Sequence, residues 1–248
     1  MTYCELSQIP LSTVASTPSE SILKKLLTLS AHADITSFAV GLPSPDGFPV
    51  EAVAKATQEV LKQEGRRALQ YSVTEGEPEL REAIAEFETS RGTPTRPEEV
   101  QIVTGSQQAL DLVARVFLDP GDRVLVENPS YLGALGAFRL CRPTFDFLPS
   151  DDQGLNPAAM TESCRGAKFA YVMPTFNNPT GLTISLERRK KLIEKADELG
   201  LWIIEDDPYG ELWYEKQPPQ TIRSLKPDNT LRLGTLSKIL SPGMRLGY

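Results

Sequence analysis

The sequence predicts an α/β fold: a mostly parallel sheet flanked by helices. Two observations predict it. From residue 99 onward, short apolar runs alternate with stretches of helical periodicity. That is the pattern of strand–helix–strand units whose sheet is covered on both faces. Before residue 99 the chain shows helical periodicity and a turn series rich in Gly and Pro.

The elements follow in chain order. Residues 1–18 are polar and aperiodic, which predicts an N-terminal arm. Ser19–Ala31 has Leu/Ile spacing and predicts a short helix. FAVGLPSPDGFP, residues 38–49, predicts an ordered loop. Val50–Glu64 predicts a helix stopped by Gly65, and Glu77–Arg91 a second one with Pro78 in its first turn. The predicted strands are Val100–Val103, Val124–Val126, Phe145–Leu148, Phe169–Met173, Leu201–Ile204 and Leu231–Leu236. Helices Gln107–Phe117, Tyr131–Leu140 and Leu186–Leu199 separate several of them. The domain expectation is an arm and small-domain segment over residues 1–45 and a large domain over 46–248.

Composition narrows the function. A net charge of −7 speaks against nucleic-acid or anionic-membrane binding as the main task. Cys4, Cys141 and Cys164 are far apart, with no CxxC pair, and read as reduced packing thiols. His32 has no second histidine to share a metal. The apolar cluster Ile22–Leu29 is broken by Lys24 and Lys25, so neither a signal peptide nor a spanning helix is read, and the expectation is a soluble cytoplasmic protein.

Six residues carry the chemistry. Ser106, Asn178, Asp206 and Lys238 each stand at or just past the end of an apolar run, Tyr131 follows the strand Val124–Val126, and Arg245 stands seven residues after Lys238. In an open parallel sheet, the run ends on one edge form the ligand crevice. Thr104-Gly105-Ser106-Gln107 opens a helix after a strand and suits a phosphate, though alone it is no more than a helix cap. Neither GxGxxG nor GxxxxGK[ST] occurs, so no nucleotide is signalled. Tyr131 either stacks on a planar ring or caps the core. Asn178, in the turn Asn177-Asn178-Pro179, can donate to a phenolate oxygen. Glu205-Asp206-Asp207 ends a strand. A magnesium site would want carboxylates at the other strand ends, which carry Ser, Asn and Lys instead, so an aspartate facing a protonated ring nitrogen fits better. A lysine at the mouth of a parallel sheet is costly unless paired or used, and the amine of Lys238 can form a Schiff base. Arg245 can hold a phosphate in bidentate fashion, though from this segment alone a surface Lys and Arg flanking a turn is the favoured reading. Together these residues point to pyridoxal phosphate chemistry.

The segments VGLPSPDGFP, LQYSVTEGEPELREAI, VTGSQQALDLVARVFLDPGD, ENPSYLGA, MPTFNNPTG, IIEDDPYGEL and GTLSKILSPGMRLGY span residues 38 to 248. In that order they resemble the fold-type I, class I/II aminotransferases, nearest the α-aminoadipate and aromatic multi-substrate subgroup. The resemblance implies the PLP-dependent transferase-like large domain and pyridoxal 5′-phosphate as cofactor. It makes Lys238 the Schiff-base lysine and proton-shift base, and Asp206 the partner of the ring nitrogen. Asn178 and Tyr209 would bond the ring oxygen, and Tyr131 would stack on the ring. Ser106, Gln107, Thr235, Ser237 and Arg245 resemble the phosphate cradle. Tyr71 resembles the tyrosine that reaches the phosphate of the partner subunit, which implies a homodimer. Gly41 and Asn178 resemble residues near the substrate carboxylate. Leu23, Lys24 and Lys25 are candidates for contacts to the substrate side chain.

The activity so implied is a ping-pong transfer of an amino group between an L-amino acid and a 2-oxo acid. Its rivals are another PLP reaction on the same fold (a β-lyase, decarboxylase or synthase) and a non-catalytic PLP-binding sensor domain of a transcription regulator. The family continues past the equivalent of Tyr248 with a further strand and a C-terminal small domain. The expectation is therefore a fragment, incomplete at its C-terminus, with its first and sixth strands unpaired along one edge, and alone poorly stable and inactive.

Overall fold

The computed structural model describes Pro10, residues 12–16 and residues 41–248. The predicted helix Ser19–Ala31, with Leu23, Lys24 and Lys25, lies outside the described residues. The chain forms two compact units, Met1–Leu42 and Pro43–Tyr248. In the first, Thr13–Ser16 makes a single helical turn. The second contains the sheet.

Its helices are α1 (Val50–Ala68), α2 (Pro78–Ser90), α3 (Ser106–Phe117), α4 (Leu132–Arg139), α5 (Leu186–Leu199) and the short α6 (Ile222–Leu225). Its strands are β1 (Arg123–Asn128), β2 (Thr144–Asp151), β3 (Gly154–Leu155), β4 (Phe169–Val172), β5 (Trp202–Asp206) and β6 (Thr230–Leu233). They form a sheet in the order β3-β2-β1-β4-β5-β6, parallel except for the β2–β3 hairpin. The chain leaves β1 for β2 on one side and then crosses to β4 on the other, which opens a crevice beyond the strand C-termini.

Alternation along the strands builds two cores. Val124, Val126, Phe169, Tyr171 and Ile204 face α3 and α4 and pack on Leu110, Val113, Leu135 and Phe138. Leu125, Ala170, Val172 and Ile203 face the other way and pack on Leu192, Ala196 and Leu199 of α5. With both faces covered, the central strands are apolar at almost every position, which is why they read as runs rather than alternations. α5 has its boundaries written into the sequence. The Ser185 hydroxyl accepts from the Arg188 amide, and Gly200 ends the helix at φ 69°.

Three expectations need correction. Val100–Val103 is not a strand, because only Val103 is bridged, to Gly247, and one residue pair is too little for a ladder. The edges are not left wholly open either. Gly247 bridges Val103 and Thr235, and Tyr248 exchanges backbone bonds of 2.9 and 3.0 Å with Gly234. α1 does not stop at Gly65. It kinks at Glu64, whose φ and ψ of −137° and 21° are non-helical, and runs on to Ala68, because the cost of one glycine is only about 1 kcal/mol. No residue of α1 is buried, so its apolar face covers nothing among the described residues.

A buried ion network ties α2 to the sheet. Arg232 of β6 donates to Glu88 at 2.9 Å and to Asp207 at 3.0 Å, and the Tyr248 hydroxyl donates to Glu88 at 2.5 Å. Burial alone lowers the Arg232 pKa, but Asp207, Glu88 and Glu205 outweigh it and hold the guanidinium well above its ordinary range. Arg232→Met strands two buried carboxylates and is expected to cost about 3–5 kcal/mol in equilibrium denaturation, whereas a loss below about 1 kcal/mol would show that the network is not a structural anchor.

Candidate active site

The crevice is assembled from β5, from the turns after β1, β4 and β6, and from the N-terminus of α3. Strand alternation separates the three acids at the end of β5. Glu205 points to the α5 side and accepts from the Ile222 and Arg223 amides at 2.8 and 2.9 Å. Asp207 meets Arg232 and the Gly210 amide. Asp206 points to the α3–α4 side. One of its oxygens, Oδ2, accepts from the Tyr171 hydroxyl at 2.7 Å, and the other, Oδ1, is buried with no hydrogen-bond partner among the described residues. Burial pushes the Asp206 carboxyl up to about 7, against the pull of the Tyr171 hydroxyl. Among the described residues no acid or thiol cluster suits a metal ion.

Two tyrosines stand near Asp206. Its charge raises the pKa of both Tyr131 and Tyr209, after burial in each case. The Tyr131 ring lies on Gly133, where a Cβ would come within 2.5 Å of it. The Tyr209 hydroxyl faces the Asn178 amide at 3.4 Å. The turn bearing Asn178 is held from below by two buried groups that sequence reasoning missed. Glu127 Oε2, at the end of β1, accepts from the Asn177 amide at 2.7 Å and the Met173 N–H at 3.0 Å. Arg189, wholly buried, donates to the Pro174 carbonyl, the Thr175 hydroxyl and the Ile184 carbonyl. A charged residue inside an otherwise apolar stretch was the available signal for Glu127, as a tyrosine inside FAYVM was for Tyr171.

The other end of the crevice is cationic. Arg245 sits in the left-handed region at φ 53°, and its guanidinium lies against Gly105, the residue before α3. A Cβ at Gly105 would approach Arg245 Nη2 to 2.7 Å, and Gly105 has φ +74°, so glycine is required there twice over. Among the described residues Arg245 donates only to the Thr104 and Pro242 carbonyls, at 3.4 and 3.3 Å. A guanidinium without a carboxylate at the positive end of a helix is the electrostatic shape of an anion site. The Thr235 hydroxyl lies 3.0 Å from that of Ser237 and 3.2 Å from the Leu246 carbonyl, which brings Thr235 and Ser237 to the same end as Arg245. The Ser106 N–H belongs to this cluster too, since Gly247 packs on the backbone of Gly105 and Ser106. The Gln107 side chain does not: it donates to the Gly133 carbonyl at 3.1 Å, which leaves only its backbone N–H at the helix start.

Lys238 lies in the turn after β6. Asp206 pairs in register with Leu233, so Lys238 follows at the same edge of the sheet. Burial alone lowers its pKa, with no neighbouring charge contributing. Such an amine has a larger neutral fraction and can act as nucleophile or base. Tyr71 stands clear at 98% exposure. Gly41 is exposed and belongs to the first unit. The cavity of about 360 Å³ between α3 and β6, lined by Val100, Val113, Phe117 and Leu231, contains none of the predicted site residues.

The family model described as aminotransferase class I and II matches residues 33–248. An aromatic-amino-acid aminotransferase of Thermococcus litoralis is 42% identical over 92% of this chain and 57% of its own length. A 2-aminoadipate transaminase of Thermus thermophilus is 44% identical over 92% and 58%. The chain thus spans a little under 60% of these curated relatives. The crystal structure of Pyrococcus horikoshii kynurenine aminotransferase in complex with PMP superposes with a TM-score of 0.88 at 40% identity, covering 96% of this chain and 61% of that one.

Asp206 and Glu127 give the fold a pH signature. Burial also raises the Glu127 carboxyl to about 7. Both groups ionise near pH 4 when unfolded. The folded chain therefore holds more protons between about pH 4 and 7, and the stability from these two groups is full below that window and lost as pH rises through it. Asp206→Asn is expected to flatten the decline of the denaturation midpoint between pH 5 and 8 relative to wild type. Superimposable profiles would show that Asp206 carries no raised pKa.

Proposed function

The chain belongs to the class I and II aminotransferases, and on that premise we propose that the whole protein is a pyridoxal 5′-phosphate-dependent aminotransferase. It moves an amino group from an L-amino acid to a 2-oxo acid in a ping-pong reaction. The observation that carries this is the bare oxygen of Asp206. A buried carboxylate oxygen without a partner is costly, and the N–H of a protonated pyridine ring is the donor that satisfies it. The anion site at Arg245 and the start of α3 suits the phosphate of the same molecule.

When bound, pyridoxal phosphate supplies an aldehyde carbon that takes up an amino group and a ring that draws electrons from the bonds at that carbon. The chain's residues do the rest. Asp206 Oδ1 holds the proton on the ring nitrogen. Asn178 Nδ2 and the Tyr209 hydroxyl would bond the ring oxygen, and Tyr131 would stack on the ring. The Ser106 and Gln107 backbone N–H groups, the Thr235 and Ser237 hydroxyls and the Arg245 guanidinium hold the phosphate. Lys238 Nζ would hold the cofactor through its amine and would serve as the base for the proton of the substrate Cα. Asn178 would face the substrate carboxylate, a role the family resemblance also gives Gly41, and Tyr71 would reach the phosphate in a partner subunit.

A homodimer is supported by the apolar groups exposed on α1 and after it: Val60, Leu61, Leu69, Tyr71 at 98% and Val73. A cytoplasmic setting is supported by the free thiols Cys141 and Cys164. No described helix is long and apolar enough to cross a membrane.

Lys238→Ala in the whole protein is expected to remove the absorbance of lysine-linked cofactor and to lower turnover by about 10³-fold or more. Amino-group transfer retained within about tenfold of wild type ends the proposal.

A further inference from the structure

Tyr171 is the polar side chain of a strand that is buried at every position. It is fully enclosed, so its hydroxyl cannot turn to solvent, and a buried phenol needs an acceptor. The register supplies one. Tyr171 pairs with Ile204 across β4 and β5, and Asp206, two residues further along β5, projects from the same face. The Phe138 ring meets the Tyr171 ring edge to face at 5.5 Å and 80°, and Phe169 meets Phe138 in turn at 5.4 Å. The ring is thus wedged, with its hydroxyl 2.7 Å from Asp206 Oδ2.

This contact makes the two oxygens of one carboxylate unequal. Oδ2 is committed and Oδ1 is bare. We propose that Tyr171 is a positioning residue that locks the Asp206 carboxylate with a single oxygen open to the crevice and favours its ionised form for the ring nitrogen of the cofactor. This deepens the aminotransferase reading and rests on it. The other titratable or charged groups around Asp206 are Tyr131 before α4, Tyr209 after β5, neighbouring Asp207 and Arg232 on β6. Asp207 repels the charge, Arg232 attracts it, and among the described residues only the Tyr171 side chain donates a hydrogen bond to the carboxylate. Burial and then the Asp206 charge hold the Tyr171 phenol well above its ordinary range, so it remains a donor across the working pH. Without that donor, a carboxyl among apolar side chains keeps its proton to higher pH, and a neutral acid is a poorer partner for a cationic ring.

Tyr171→Phe in the full-length protein keeps the wedged ring and deletes only the oxygen. Three readouts are expected to move together. The Asp206 carboxyl, followed by carbon NMR in cofactor-free protein, titrates about one pH unit higher. The dissociation constant for pyridoxal phosphate rises about tenfold. The kcat of the holoenzyme falls while the KM for the amino acid holds. In an Asp206→Asn background, adding Tyr171→Phe leaves cofactor affinity unchanged, because the carboxylate it serves is gone. If Tyr171→Phe leaves both the titration and the affinity at their wild-type values, or weakens affinity equally in the Asp206→Asn background, Tyr171 is packing alone and the proposal is overturned, while the aminotransferase reading stands. Wild-type protein that binds no pyridoxal phosphate overturns both.

Discussion

Three acids in succession at the end of a buried strand repel one another and cannot share one environment. The alternation of β5 resolves this by turning Asp206 to the opposite face from Glu205 and Asp207, which both lie near Arg232. Glu205 meets the amides that open α6, Asp207 meets Arg232, and Asp206 is left facing the crevice with one oxygen unmatched. Much of the site follows from this separation. Two of the charges are satisfied inside the fold, so the third is available to a ligand. The cost of keeping it unmatched is carried by a fold anchored elsewhere.

The opposite end of the crevice works by the inverse arrangement. Arg245 lies over the start of α3, where helix and guanidinium are both positive, and no carboxylate neutralises them. The backbone tolerates this because Gly247 packs on Gly105 and bonds Val103, while Tyr248 is tied to Gly234 and Glu88. An unmatched negative oxygen and an unmatched cation at one edge of a sheet describe a ligand with a proton donor at one end and an anion at the other. A ring nitrogen and a phosphate on one molecule answer that description.

Between these ends, the loop carrying Asn178 is shaped by groups that make no claim on the ligand. Glu127 and Arg189 are buried polar residues that together bond Met173, Pro174, Thr175, Asn177 and Ile184. Groups of this kind fix one loop conformation, because any other leaves a buried charge without its bonds. They were hard to see in advance, since a charged residue in a helix such as α5 reads as surface until the fold shows that it points inward. Arg189 has that appearance, set among Arg188, Lys190 and Lys191.

The sequence alone determined the periodic elements and the chemical types at their ends. The runs at Val124–Val126, Phe169–Met173 and Leu201–Ile204 became β1, β4 and β5, and Leu186–Leu199 became α5, because a strand covered on both faces and a capped amphipathic helix leave local signatures. It did not determine pairing. Val100–Val103 is as apolar as any of the strands, yet a ladder needs a neighbour, and among the described residues its one bridge joins Val103 to Gly247. Nor did it show that Gln107 turns its side chain to Gly133, or which oxygen of Asp206 is bare. Those are facts of register and of contacts between residues distant in sequence. Only the packing of β4 on β5, with Phe138 wedged behind Tyr171, could decide them.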